Sequence, residues 1–184
     1  AIDDATTGDV VEVAAGTYKE FITINTSITL EGAFYGTPGY DAGRDGNNET
    51  IICPPDDATR IAPDGTTTPL IDNEAENVTI DGFTFIDEKD ANGEYGANIA
   101  IMSTEGSFQA SNNRILGLPQ FGVTVQRSAS GVETDGWITD VNISNNFIYG
   151  IAGSSWYAYA VNLWGTIAVV QNNQVDQSRG GTLI

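Results

Sequence analysis

Short runs in which apolar residues alternate with others, three or four residues long, recur along the chain. Val78 and Ile80, Phe108 and Ala110, Val141 and Ile143, and Ala168 and Val170 are each separated by one residue. A period of two marks a half-buried strand, whereas a helix repeats every three or four residues. These eight side chains are therefore expected to point inward from strands.

The runs share a common word. "SFQASNNRILG" (107–117), "DVNISNNFIYG" (140–150) and "IAVVQNNQVD" (167–176) superimpose with Asn112, Asn145 and Asn172 in one column. "NVTIDGFTFID" (77–87) places Gly82 in that column, and "SITLEGAFYG" (27–36) places Gly32 there. From Gly82 onward the separations are 30, 33 and 27 residues, and Gly32 precedes Gly82 by 50. A period near 30 with variable insertions is the signature of a solenoid whose repeats stack on one another.

The column also needs a physical reason. Asn is depleted in strands, and a buried amide without a partner costs about 1–3 kcal/mol. In a solenoid, equivalent residues lie about 4.7–4.9 Å apart along the axis. Asn112, Asn145 and Asn172, continuing from Gly82, are thus expected to form a ladder that passes amide hydrogen bonds from coil to coil. Asn and Gly also tolerate the tight bend of a coil corner.

A chain of 184 residues suits one domain with an adequate core. It holds no apolar run long enough to insert in a membrane. Its opening, "AIDDATTGDVVEV", and its close, "GGTLI", read as cuts through a longer protein whose secretion signal would lie upstream. Seven Lys and Arg against 25 Asp and Glu give a formal charge of −18, which opposes nucleic acid and anionic membranes. That acidity fits solvation in a salty habitat, calcium binding, or a cationic partner. The single cysteine, Cys53, excludes an internal disulfide.

"AIDDATTGDVVEVAAGTYKEFITINTSITLEGAFYG" resembles the first coils of right-handed parallel β-helix proteins of the pectate-lyase-like superfamily. "GDVVEVAAGTY" is similar to the turn and strand that lead off surface and periplasmic members related to the copper-site assembly protein NosD. "EGAFYGTPGYDAGRDGNNETII" (31–52) resembles a Gly-rich excursion of their secreted relatives. The resemblance implies a right-handed, single-stranded parallel β-helix of about five to six coils with loop insertions, spanning residues 1–184. It also implies that residues 1–7 finish a short capping helix. It specifies fold far better than activity, because this superfold hosts lyases, hydrolases, adhesins and tailspikes.

Hydrolases of that kind use clustered Asp residues aided by a His, and this chain has no His. Asp3–Asp4 and Asp56–Asp57 read as solvated turns. Lyases of that fold use Arg or Lys to take a proton beside a uronate carboxylate neutralised by a cation. Arg114, Arg127 and Arg179 are the residues that would serve, with Arg114 pointing outward and Arg127 closing the run "VTVQR".

Three further groups suggest binding. In "DEKDANGEYG" (87–96), Glu88, Asp90, Asn92 and Glu94 alternate around Gly93 like the first half of a calcium loop, and Ile99 at the twelfth position excludes an EF-hand. Trp137, Trp156, Tyr157, Asn162 and Trp164 form an aromatic and amide set suited to stacking on carbohydrate. With Val161 and Leu163 turned inward, Asn162 and Trp164 face outward, and Tyr159 joins the core. Asn25, Asn48, Asn77 and Asn142 begin glycosylation sequons.

Taken together, these features lead us to expect a non-catalytic extracellular or cell-surface segment with a structural or adhesive role. It would bind carbohydrate, a cell-surface ligand or Ca2+, or self-associate through its coil ends. A lyase acting on a uronate-containing polymer is the alternative.

Overall fold

The computed structural model describes residues 2–44, 46–59, 68–88, 90–126, 137–151 and 158–176. After a single 3-10 turn at Ile2–Asp4, every regular element is a short strand. The first coil holds β1 (Val10–Glu12), β2 (Gly16–Lys19) and β3 (Ile22–Ile24). The second holds β4 (Thr29–Glu31), β5 (Thr50–Cys53) and β6 (Pro69–Asn73). The third holds β7 (Thr79–Asp81), β8 (Phe83–Ile86) and β9 (Ile99–Ser103). The fourth holds β10 (Gln109–Ser111), β11 (Arg114–Leu116) and β12 (Phe121–Gln126). The fifth holds β13 (Ile138–Ser144), β14 (Phe147–Tyr149) and β15 (Tyr159–Trp164), and β16 (Thr166–Gln171) and β17 (Gln174–Asp176) begin a sixth.

Each strand pairs in parallel with its counterpart one coil away. Sheet A runs β1-β4-β7-β10-β13-β16, sheet B runs β2-β5-β8-β11-β14-β17, and sheet C runs β3-β6-β9-β12-β15. This is a parallel β-helix, with five complete coils and two strands of another among the described residues. Parallel crossovers overwhelmingly take the right hand.

Register stacks like on like. In sheet A, Val11, Leu30, Ile80, Ala110, Ile143 and Val170 form one inward column. Tyr18, Ile52, Phe85, Ile115, Ile148 and Val175 form another in sheet B. Sheet C adds Ile22, Ile71, Ile101, Val123 and Val161. Of the eight residues expected to point inward, six are buried, while Ala168 and Val170 on the last coil are partly buried against the same core.

Corners are made by residues in the left-handed region. Gly82, Asn112, Asn145 and Asn172 turn sheet A into sheet B, with φ of 82°, 58°, 57° and 54°. Asn77, Ser107 and Asp140, at 55°, 50° and 60°, turn sheet C into sheet A. For a residue with a Cβ this conformation costs about 1–2 kcal/mol, least for Asn and Asp, whose short polar side chains bond locally. At Asp140 a register shift between Ile138 and Val141 makes a bulge in β13.

Candidate functional site

The asparagine column serves the bend, and the amide ladder runs one residue later than expected. Asn113 Nδ2 donates to Ile80 O at 3.0 Å, Asn146 Nδ2 to Ala110 O at 2.9 Å, and Asn173 Nδ2 to Ile143 O at 2.8 Å. Their Oδ1 atoms accept from the preceding coil: from Phe83 N at 3.0 Å, Asn113 N at 2.9 Å and Asn146 N at 2.9 Å. Asn146 also donates to Asn173 Oδ1 at 2.9 Å.

The reason for the offset is the left-handed corner itself. It aims the side chains of Asn112, Asn145 and Asn172 away from the ladder and aims the next residue into it. Asn145 is half-buried and Asn172 exposed, and Asn112 instead donates to Asp81 Oδ2 at 2.7 Å. Gly82 sits at the corner because a Cβ there would lie 2.2 Å from Tyr35 N.

Between β4 and β5 the chain leaves the solenoid and crosses the coils that follow. Gly36 N donates to Asp81 Oδ1 at 2.9 Å on the third coil, and Gly39 N to Asn145 O at 2.8 Å on the fifth. A Cβ on Gly39 would lie 2.2 Å from Asn113 O, so only glycine permits this approach. The strap then buries Arg44. Its guanidinium donates to Glu49 through Nη2 at 2.7 Å and Nε at 3.3 Å, to Phe83 O at 3.1 Å, and to Asn112 O. It also lies 4.8 Å from the Phe34 ring centroid.

Arg114 belongs to the same network. Its Nη1 donates to Arg44 O and to Glu49 Oε1, the latter at 3.3 Å, while its Nε is buried without a partner. The guanidinium also lies 5.9 Å from the Phe147 ring centroid. Thr84 Oγ1 donates to Glu49 Oε2 at 2.7 Å. Burial alone would push the Glu49 carboxyl up, but hydrogen bonds from Arg44 and Thr84 and the charges of Arg44 and Arg114 hold it below its usual range. Arg114 points outward from sheet B, as expected, but into an ion pair. Arg127 and Arg179 lie outside the described residues, so no shared face with Arg114 is visible.

In the acidic loop, Asp90 serves its own turn. Its Oδ1 accepts from Asn92 N at 2.8 Å and Glu94 N at 3.0 Å, and its Oδ2 accepts from Asn92 Nδ2 at 3.4 Å. Glu88 and Asn92 are exposed and Glu94 is half-buried. Among the described residues, no three Asp, Glu, His or Cys side chains gather as metal ligands do. Of the sequon residues, Asn25, Asn48 and Asn77 are exposed, while Asn142 is half-buried within β13 with Oδ1 unpartnered.

The aromatic set is divided. Trp156 and Tyr157 lie outside the described residues. Trp137 and Trp164 stand 67% and 65% exposed at the corner between sheets C and A. Ile138 packs against the core, which turns Trp137 outward, and Ile138 N donates to Gly165 O at 3.0 Å. One indole therefore flanks each side of that bond, on adjacent coils. Ile167 and Val169, 59% and 55% exposed, extend the patch along β16. Thr166 Oγ1 pins the corner by donating to Val125 O at 3.2 Å.

Asn162 faces outward beside Trp164 and donates to Thr124 Oγ1 at 2.7 Å. Tyr159 is half-buried and lies outside the main core cluster, with its ring stacked on Phe121 at 6.1 Å and 13°. Further along the same outer wall, Asp72 is half-buried with Oδ1 unpartnered, and burial, then Glu74, push its carboxyl above its usual range.

Sequence reasoning met Arg44 and Glu49 only as part of the Gly-rich excursion and passed over their ion pair. It also passed over the ladder role of the second asparagine of each doublet. The "NN" doublets themselves were the available signal for the ladder. It also passed over an open groove of about 490 Å³ on sheet B, lined by Ile86, Glu88, Arg114, Leu116, Phe147 and Tyr149. No family model matches this chain, and no curated protein or solved structure matches it either.

Proposed function

We propose that this chain is a non-catalytic wall of an extracellular or cell-surface β-helix protein of the pectate-lyase-like kind, and that it holds carbohydrate at the corner carrying Trp137 and Trp164. The observation that carries the proposal is the pair of indoles left bare on adjacent coils of a rigid wall. An indole pairs a broad apolar face with a polar N–H edge, which suits the C–H face and hydroxyl rim of a sugar. Trp164 ends strand β15 and Trp137 directly precedes β13, and side chains anchored on or beside strands need less ordering on binding than side chains far out on loops. The ion pair of Arg114 with Glu49 favours binding over elimination, because a base must be free to take a proton.

The test is retention on insoluble polysaccharides of varied composition. The protein should be retained, and the double variant Trp137→Ala, Trp164→Ala should wash through while melting at the same temperature. Failure of every polysaccharide to retain it would overturn the proposal. So would release of an ultraviolet-absorbing unsaturated product from a uronate polymer, which would establish a lyase.

A further inference from the structure

The two indoles, the bulge beside them and the charge of the chain together narrow the ligand. We infer that the corner takes a neutral glycan of equatorially linked pyranoses lying along the solenoid axis, an inference that rests on the carbohydrate reading above.

Geometry sets the direction. Trp137 precedes Ile138, which pairs with Thr166, while Trp164 lies two residues before Thr166 and pairs with Gln126. The indoles therefore stand one coil spacing apart along the axis and are offset by one residue around the corner. Successive coils are about 4.7–4.9 Å apart, comparable to the advance per residue of an extended, equatorially linked sugar chain. A chain laid along the axis therefore presents consecutive rings to consecutive coils, whereas one laid across the axis leaves one indole unused. In a pyranose whose substituents are all equatorial, as in β-linked glucose, the axial positions on both ring faces carry only C–H bonds, which makes those faces apolar enough to stack. Ile167 and Val169 widen the apolar surface on β16 and offer no hydrogen bond to a charged substituent.

Charge sets the class. Asp140 is exposed on the strand that follows Trp137, held at φ 60° in the bulge. Bulges re-aim neighbouring side chains, and this one sits between Trp137 and the regular part of sheet A. A carboxylated sugar at the indoles would approach a wall that carries Asp140 three residues after Trp137, within the field of a chain carrying −18. Such repulsion is screened over about 8 Å at physiological salt, so it acts mainly on directly bound groups. A neutral glycan escapes it and keeps the stacking.

Calorimetric titration and tryptophan emission test the inference with three hexamers: β-1,4-linked glucose, β-1,4-linked glucuronate of the same length, and α-1,4-linked glucose. The neutral β-linked hexamer should bind and shift the emission. Trp137→Ala and Trp164→Ala should each weaken it about tenfold, as expected for loss of one stacked ring. The glucuronate hexamer should bind at least about tenfold more weakly at low salt, with the gap narrowing as salt is raised. Equal or tighter binding of glucuronate that still depends on the two tryptophans would overturn the neutral class and leave the carbohydrate reading standing. Equal binding of the α-linked hexamer would overturn the axial arrangement. Absence of binding by all three would overturn the inference and leave the carbohydrate reading to the retention test, whereas binding indifferent to both tryptophans would remove the inference and the reading beneath it together.

Discussion

Two parts of the outer surface treat their side chains in opposite ways. Over sheet B, the strap buries Arg44 and Glu49 completely and gives both a partner, so the surface there is an extra layer of interior. At the corner of sheets C and A, Trp137, Trp164, Ile167 and Val169 lie bare, and on the sheet C wall Asp72 keeps a buried oxygen without a partner. The strap region is the more finished: it pairs its buried charges and, among the described residues, leaves only Arg114 Nε without a partner. The other region leaves broad apolar area bare as well as the Asp72 oxygen. In a solenoid every wall rests on the same coils, so this difference separates stability from recognition.

The largest effect should come from breaking the finished side. Glu49→Gln removes the charge that answers both Arg44 and Arg114, and stranding a buried ion typically costs about 3–5 kcal/mol. The pH dependence follows from the depressed Glu49 carboxyl. Its contribution is complete above the ordinary carboxyl value of about 4.3 and is lost as pH falls through the lower folded value. Denaturation midpoints of the native protein and the variant should therefore differ most at neutral pH and converge in acid. A constant gap down to the lowest pH would show that Glu49 acts by packing alone.

A middle-sized effect separates the ladder from the bend. Asn146→Gly removes the side chain that serves Ala110 O and the backbone N–H of Asn113, and should cost about 1–3 kcal/mol for each group left bare. Asn145→Gly, one residue earlier, keeps the left-handed corner and should change stability by less than about 0.5 kcal/mol. Urea melts of the two variants make the comparison. Equal losses would return the ladder to the Asn145 column.

The smallest effect has the opposite sign. Asp72 has a raised carboxyl value, so its ionised form weakens the folded state at neutral pH, and the cost disappears below about pH 3.9, where both states are protonated. Asp72→Asn should stabilise at pH 7 by at most about 1 kcal/mol and change nothing at pH 3. A loss at pH 7 would place Asp72 with the finished wall instead.

These two regions were not equally legible in the sequence. Period-two runs and the repeated "NN" word are local signals, and they led to the coils, the inward columns and the corner residues. They could not say which asparagine of a doublet enters the ladder, because that depends on the φ of the corner, and Asn145 and Asn146 look alike until the bend is built. Trp164 was legible because alternation with Val161 and Leu163 fixed its side of β15. Arg44 was not, since a loop carries no period, and its partners at Asn112 and Arg114 lie 68 and 70 residues further on. For the same reason the sequence offers Arg114 as an outward-pointing lyase base and not as a partner of Glu49. A residue's neighbours on the same coil can be counted along the chain, whereas what covers it from an insertion cannot.

The strap also alters how the molecule should bear load. In an ordinary solenoid each coil touches only the next, so tension along the axis peels coils singly at small and similar forces. Here the second coil is tied through Gly36 to the third, through Arg44 to the fourth and through Gly39 to the fifth. Pulled at its two ends, the first and sixth coils, which these ties do not reach, would each unzip alone, and the four coils joined by the strap would then hold as one block until its ties gave way together. The extension trace would show two weak steps followed by one tall rupture, and the strap would behave as a built-in tendon.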